Sequence, residues 1–170
     1  MQLIQVNKSR YRKHLNILIV GCITVLISGS LGVSQWLILL YPDPSGSHFQ
    51  WNLTGVIVSS IVIGFSLWLS RKHPFMNEVF YVWKLKQALN RITRSMAKIK
   101  TAAERGDYHA LLALQFNYDG SRLLWDLDDN TLMMEELNLE QTKLDAMLTQ
   151  YGLNVDVVDY SFDTLDKISK

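Results

Sequence analysis

Residues 51–72 read WNLTGVIVSSIVIGFSLWLSRK, a stretch of 20 residues without a formal charge followed at once by an arginine and a lysine. A helix that crosses a bilayer needs about 20 mostly apolar residues. The abrupt return of charge at Arg71 predicts the point at which the chain leaves a membrane.

A second uncharged run precedes this one, from Leu15 to Tyr41, LNILIVGCITVLISGSLGVSQWLILLY. It is longer than the ~7–15 residues of a signal-peptide core, so a retained span is predicted. Between His14 and Ser70 the only formally charged side chain is Asp43. Amphipathic rings, which favour the headgroup zone, lie toward the ends of the two runs: Trp36, Tyr41, Trp51 and Trp68. The sequence therefore predicts a two-span transmembrane hairpin over residues 15–70.

The positive charges flanking the runs predict an orientation. Four basic residues precede the first run, Lys8, Arg10, Arg12 and Lys13, and Arg71 and Lys72 follow the second, whereas the connecting residues 42–50 contain no lysine or arginine. Because short cytoplasmic flanks are enriched in these residues, both termini are predicted to be cytoplasmic.

Small residues recur at a spacing of four in both runs, a pattern that lets membrane helices approach closely. The pairs are Ser28 with Gly32, Gly55 with Ser59, and Ser60 with Gly64. They favour packing of one span on the other, with dimerisation as the alternative.

The rest of the chain predicts helices. Pro74 suits the first turn of a helix, and an apolar seam with alternating spacings of three and four follows, broken only at Glu78. Further helices are predicted over residues 108–127, with a kink allowed at Gly120, and over about 131–151, ended by Gly152. The seam residues are Phe75, Val82, Leu85, Leu89, Ile92, Met96, Ile99 and Ala103.

The predicted fold class is therefore all-α: a transmembrane helical hairpin followed by a cytoplasmic helical bundle or coiled coil of about three helices. Residues 1–14 form a basic cytoplasmic segment, 15–70 the hairpin, 71–152 the cytoplasmic helical region, and 153–170 an acidic tail that is predicted to be flexible, with a short edge strand as the alternative. Residues 1–105 carry a net charge of +10 and residues 106–170 a net charge of −9, which indicates different neighbours for the two parts.

No catalytic, cofactor-binding or metal-ligating residue is predicted, and the expected protein is not an enzyme. The four histidines are scattered, and Cys22 is the single cysteine. The acidic stretch from Asp126 to Asn130 fails as a calcium loop, because Thr131 and Leu137 stand where an EF-hand needs glycine and glutamate.

The predicted contact surface for a partner or for lipid is the aromatic and basic start of the first cytoplasmic helix, with the acidic turn at 126–130 as an addition. The predicted partners are the lipid bilayer and an unknown protein; a homo-oligomer is left open, and nucleic acid is not expected. The alternative function is a small oligomeric channel, or an accessory subunit of a membrane transport or enzyme complex. The surface comprises Arg71, Lys72, Phe75, Phe80, Tyr81, Trp83, Lys84 and Lys86.

Three stretches, RYRKHLN, HPFMNEVFYVWKLKQALNRI and LDDNTLMMEEL, together resemble a gamma-proteobacterial family of small two-span membrane proteins classed as a domain of unknown function. The resemblance covers nearly the whole chain and weakens in the acidic tail. It implies a bacterial inner membrane, and it carries no assigned catalytic or binding residue.

Overall fold

The computed structural model describes residues 1–42, 46–130 and 132–168. The prediction of an all-α fold is confirmed, since the described residues contain helices and no strand. The α-helices are α1 Lys8–Leu40, α2 Phe49–Ser70, α3 Asn77–Arg94, α4 Met96–Glu104, α5 Tyr108–Leu127 and α6 Met134–Tyr151, and the 3-10 helices are Pro74–Met76, Val157–Asp159 and Phe162–Lys167.

The chain forms two compact units. One comprises Ser9–Phe80, and the other joins Met1–Lys8 to Tyr81–Lys170. The segment boundaries predicted above follow charge and hydropathy, whereas these units follow spatial contact, and the first eight residues accordingly join the C-terminal unit.

In the Ser9–Phe80 unit, α1 and α2 approach closely at small residues. A Cβ added to Gly55 would overlap the carbonyl oxygen of Ser30, and one added to Gly29 would lie 2.8 Å from the Ser59 hydroxyl. The predicted pair Gly55 and Ser59 is thus at the crossing, where both residues are buried. The other predicted pairs are not, because a Cβ at Gly32 or Gly64 would meet nothing within 4 Å.

In the C-terminal unit, α5 is the central helix and contacts α4, α6 and both C-terminal 3-10 helices. It starts at Asp107, whose side chain accepts hydrogen bonds from the backbone N–H groups of His109 and Ala110 at 2.9 and 3.1 Å. This cap satisfies two of the donors that every helix start leaves unpaired. More than half of its 20 residues are buried, so α5 supplies more of the core than any other helix of the described residues.

Gly120 does not break α5, which runs continuously from Tyr108 to Leu127. A Cβ at this position would lie 2.9 Å from Leu89 and 3.3 Å from Leu85 of α3. The glycine therefore provides room for α3, and the packing gained offsets its helix cost of about 1 kcal/mol.

The apolar seam is buried within the chain, but its helix is interrupted. Val82, Leu85 and Ile92 in α3, and Ile99 in α4, are almost fully buried. Ser95 separates the two helices with φ −111° and ψ 13°, outside the helical region. Serine hydroxyls compete with helical hydrogen bonding, a local tendency that the regular seam spacing hides.

The acidic tail folds onto α5 over its described residues 153–168. Tyr160 is 1% exposed, and its ring stacks on that of Phe116 with centroids 3.9 Å apart. Thr164 and Ile168 are buried as well. Over these residues the structure has two 3-10 helices packed on α5 in place of the flexible chain or edge strand that the sequence predicts.

Candidate functional site

A cluster of three side chains links the start of α1 to the start of α3. Arg10 Nε lies 3.0 Å from Glu78 Oε1, and His14 Nδ1 lies 3.5 Å from Glu78 Oε2. Arg10 and His14 are four residues apart and so share a helix face, and Glu78 stands in the first turn of α3, where negative charge is favoured. Glu78 breaks the apolar seam because it faces this cation.

Phe75 packs against the same cluster, with its ring stacked on that of His14 at 4.1 Å between centroids. Pro74 begins the 3-10 helix, and His73 caps it by accepting a hydrogen bond at Nδ1 from the Phe75 backbone N–H at 3.2 Å. The turn after α2 is therefore stabilised by the Phe75 backbone hydrogen bond and by the stacking of the Phe75 ring on His14.

An apolar cavity of about 510 Å³ lies beside this turn, between α1 and α2. Its apolar body is lined by residues such as Ile17, Gly21 and Val25 of α1 and Leu67 of α2, and its other end is lined by Ser70, His73, Phe75 and Met76. The arrangement has an apolar body and one polar end, a shape that suits an amphiphile.

Of the predicted contact residues in this unit, only Phe75 lines the cavity. Arg71 is exposed, and its guanidinium carbon lies 4.9 Å from the centre of the Trp68 ring. Lys72 is exposed and Phe80 is half-buried. Sequence reasoning missed Arg10 and His14 as partners of Glu78, since a contact between helices so far apart in the chain leaves no local signal.

In the C-terminal unit, Tyr81 holds residues near the start of the chain. Its hydroxyl accepts a hydrogen bond from Ile4 N–H at 2.9 Å and donates one to the Gln2 carbonyl at 3.2 Å. Burial raises the pKa of the Tyr81 phenol above its usual value, so the ring remains protonated and able to donate. Trp83 and Lys84 are exposed on the next turn.

Two lysines form ion pairs with the three aspartates of the predicted acidic turn. Lys86 Nζ lies 3.2 Å from Asp128, and Lys8 Nζ lies 2.5 Å from Asp129 and 3.6 Å from Asp126. The structure thus brings Lys86 to the acidic turn, while the role of either as a contact surface stays a prediction. It also adds Lys8, which the sequence did not connect to this turn.

A second polar cluster, unforeseen from the sequence, centres on Glu140 of α6. Its carboxylate binds Lys100 and Lys143, the latter at 2.8 Å, and accepts a hydrogen bond from the Tyr118 hydroxyl at 3.2 Å. Hydrogen bonds from the two lysines lower the Glu140 pKa to about 2. Lys143 is detectable from its spacing of three residues, whereas Lys100 and Tyr118 come from other helices.

This Glu140 cluster borders a cavity of about 230 Å³, lined also by Glu104, Leu114 and Met147. Burial, together with the nearby Glu140 carboxylate, raises the Tyr118 pKa above its usual value, so this phenol acts as a donor rather than a base. The two lysines and two glutamates balance in charge, which favours a structural cluster over an ion-binding one.

The two apolar helices match the requirement for membrane crossing by length and composition. The most apolar stretches of α1 and α2 have mean hydropathies of 2.2 and 1.9, and only 6% and 11% of their residues are buried inside the structure. Among the described residues, no group of three histidine, cysteine, aspartate or glutamate side chains is arranged to hold a metal ion.

Comparisons with curated proteins and with solved structures give no match. A family model matches residues 1–165, almost the full length. The chain therefore belongs to the family described as "Protein of unknown function (DUF3087)".

Proposed function

We propose that this protein is an integral membrane anchor, without enzymatic activity, that presents a cytoplasmic helical bundle to a protein partner. The observation that carries the membrane assignment is the outward-facing apolar surface of α1 and α2. Leu39, Phe65 and Leu69 are 79%, 61% and 67% exposed, as are many of their apolar neighbours.

Lipid is the solvent that suits this surface. Exposing apolar area to water costs about 25 cal/mol per Å², a cost that hydrocarbon removes. At 1.5 Å per residue, the 22 residues of α2 reach about 33 Å, the thickness of a bilayer core. The α1–α2 crossing also fits lipid, where close contact of small residues replaces hydrophobic attraction.

Aromatic residues at the ends of the helices support the same setting. Trp51 donates a hydrogen bond from Nε1 to the Tyr41 carbonyl at 3.2 Å, and the two rings stack at 5.6 Å. Trp68 lies under Arg71 at the other end of α2. Such rings favour the two interfaces of a bilayer.

For the topology, we propose a bacterial inner membrane with both termini in the cytoplasm. The charge flanks support this orientation, and so does the inclusion of Met1–Lys8 and Tyr81–Lys170 in one compact unit. Segments that pack together in one aqueous compartment must be separated by an even number of crossings, and α1 and α2 supply two.

The experiment for this assignment combines membrane fractionation with reporter fusions. We expect the full chain to stay in the membrane pellet after alkaline carbonate extraction. A cytoplasm-active reporter should work at the C-terminus, and a periplasm-active one should work only when inserted within residues 42–50. Release into the carbonate supernatant, or a periplasm-active C-terminal fusion, would refute the assignment.

For the partner face, we propose the exposed side of α3 around Trp83 and Lys84, together with Lys86 beside Asp128. Trp83 is 51% exposed, and exposed tryptophans flanked by charge are enriched at protein interfaces. A photocrosslinking residue at position 83 should yield a discrete adduct in native membranes, one that the same residue at exposed position 98 does not yield. Equal labelling from both positions would refute the assignment of this face as the partner surface.

A separate measurement, the mass of the protein in detergent, addresses the channel alternative. A ring of copies would require polar residues of the apolar helices to line a shared lumen. The Thr24 and Ser28 hydroxyls instead donate to the Val20 and Thr24 carbonyls of their own helix at 2.9 and 2.7 Å. A mass of four or more copies in detergent by light scattering would favour the channel over the anchor.

A further inference from the structure

We infer that the apolar cavity between α1 and α2 binds one anionic phospholipid, with an acyl chain in the cavity and the phosphate at the Ser70–His73 end. This inference rests on the membrane setting proposed above. It concerns a specific site, distinct from the general contact of α1 and α2 with lipid.

The body of the cavity selects the acyl chain. Its walls are apolar where Ile17, Val25 and Leu67 face it, and Gly21 leaves one side open because a Cβ there would meet nothing within 4 Å. The space of about 510 Å³ is an open groove whose mostly apolar lining faces the surrounding medium, and water needs several polar partners to be held in such a place. An acyl chain from the bilayer satisfies the lining without that requirement.

The polar end of the cavity selects the headgroup region. His73 Nδ1 accepts a hydrogen bond from the Phe75 backbone N–H, so in the neutral ring the proton lies on Nε2 and that nitrogen is a donor. The Ser70 hydroxyl is a second donor on the same wall. Two donors at the mouth of an apolar cavity suit the ester and phosphate oxygens of a phospholipid.

Charge complementarity selects an anionic lipid. Arg71 and Lys72 follow Ser70 directly and precede His73, so two cations lie in the chain between two residues that line the cavity. The stacking of Arg71 over Trp68 at 4.9 Å keeps its guanidinium at this end of α2. Each basic residue near an anionic headgroup improves binding about fivefold.

The test uses the full chain reconstituted in nanodiscs made from an equal mixture of phosphatidylethanolamine and phosphatidylglycerol, followed by native mass spectrometry. We expect one phosphatidylglycerol per chain to remain bound after the bulk lipid is stripped. The Gly21→Leu substitution fills the cavity body and should reduce that adduct at least about tenfold, the loss of roughly 1.4 kcal/mol. Gly32→Leu is the matched control, since Gly32 is in the same helix, equally open, and outside the cavity lining.

A second variant tests recognition of the headgroup separately from binding of the acyl chain. Arg71→Gln with Lys72→Gln should keep a bound lipid but lower the preference for phosphatidylglycerol over phosphatidylethanolamine by about 25-fold, as two cations are lost. An unchanged adduct in Gly21→Leu, or equal retention of both lipids by the wild type, would overturn the inference.

Carbonate extraction of the same variants distinguishes this inference from the proposed function. A wild-type chain that remains in the membrane pellet but retains no phosphatidylglycerol refutes the lipid site alone. A chain that is released by carbonate refutes the membrane setting, and with it the site.

Discussion

Helices α2 and α5, one from each unit, bury different kinds of residue. In α2 the buried residues are Gly55 and Ser59, both small, whereas in α5 they include large residues, among them Leu111, Leu112 and Phe116. Helix α2 thus exposes its large apolar residues and buries small ones, whereas α5 buries large residues together with small ones such as Ala113 and Gly120. The proposed membrane setting of α1 and α2 predicts this difference, and substitutions in the two units should have different consequences.

The sharpest test of this difference pairs two phenylalanines. Phe116→Ala should destabilise the C-terminal unit by about 3–5 kcal/mol, because the ring is fully buried against Tyr160. Phe65→Ala in α2, where the ring is 61% exposed, should change the unfolding free energy far less. Thermal unfolding of the full chain in mild detergent, followed by circular dichroism, measures both. A similar loss from Phe65→Ala would mean that α2 is buried and would break the comparison.

A second test addresses the small-residue crossing. Gly55→Leu should destabilise the α1–α2 pair by about 1–3 kcal/mol, because a Cβ there overlaps the Ser30 carbonyl. Gly64→Leu on the same helix meets open space and should be neutral. Unfolding in sodium dodecyl sulfate, monitored by tryptophan fluorescence, gives both values. Equal destabilisation by Gly55→Leu and Gly64→Leu would mean that α1 and α2 do not cross at Gly55.

A third test uses pH on the Glu140 cluster of the C-terminal unit. The Glu140 pKa falls from an ordinary 4.5 to about 2 in the folded chain. Its stabilising contribution is therefore complete above pH 4.5 and is lost as the pH falls toward 2. With solvent screening, the contribution is about 1 kcal/mol.

The variant Glu140→Gln should remove this acid-dependent component of the unfolding free energy. Glu136→Gln, an exposed change on the same helix, should leave it in place. Parallel pH profiles for Glu140→Gln and the wild type would show that the ion pairs contribute nothing.

The smallest expected effect concerns the hydrogen bonds that Tyr81 makes to Gln2 and Ile4. Tyr81→Phe removes the two hydrogen bonds to Ile4 and Gln2 and should cost about 0.5 kcal/mol, the low end for an exposed hydrogen bond. Hydrogen exchange at the Ile4 amide should accelerate about twofold, by the same energy. Tyr118→Phe also loses one hydroxyl bond, at Glu140, and should leave that amide unchanged. Faster exchange in both variants would point to a global effect.

Much of the fold could be predicted from local sequence, and the reasons are visible at single residues. Pro74, Gly106 and Gly152 begin or end helices through their own backbone preferences, and φ values of 79° and 61° at the two glycines agree with that. The two apolar helices follow from composition alone. Each of these signals lies within a few residues of the element it predicts.

What could not be predicted depends on distant partners. The continuity of α5 at Gly120 needs Leu89, and the order of residues 153–168 needs Phe116. At the candidate site, Phe75 and the basic pair at 71 and 72 could be selected from the sequence. The role of Glu78 could not, because Arg10 lies 68 positions earlier in the chain.

The union of residues 1–8 with the segment from Tyr81 onward has a consequence for biogenesis. Residues 1–8 emerge from the ribosome well before the residues they contact, Tyr81, Asp126 and Asp129. Loops of this span form slowly compared with neighbouring contacts. The α1–α2 pair can therefore assemble before residues 1–8 dock, because their docking must wait until Asp129 has been synthesised.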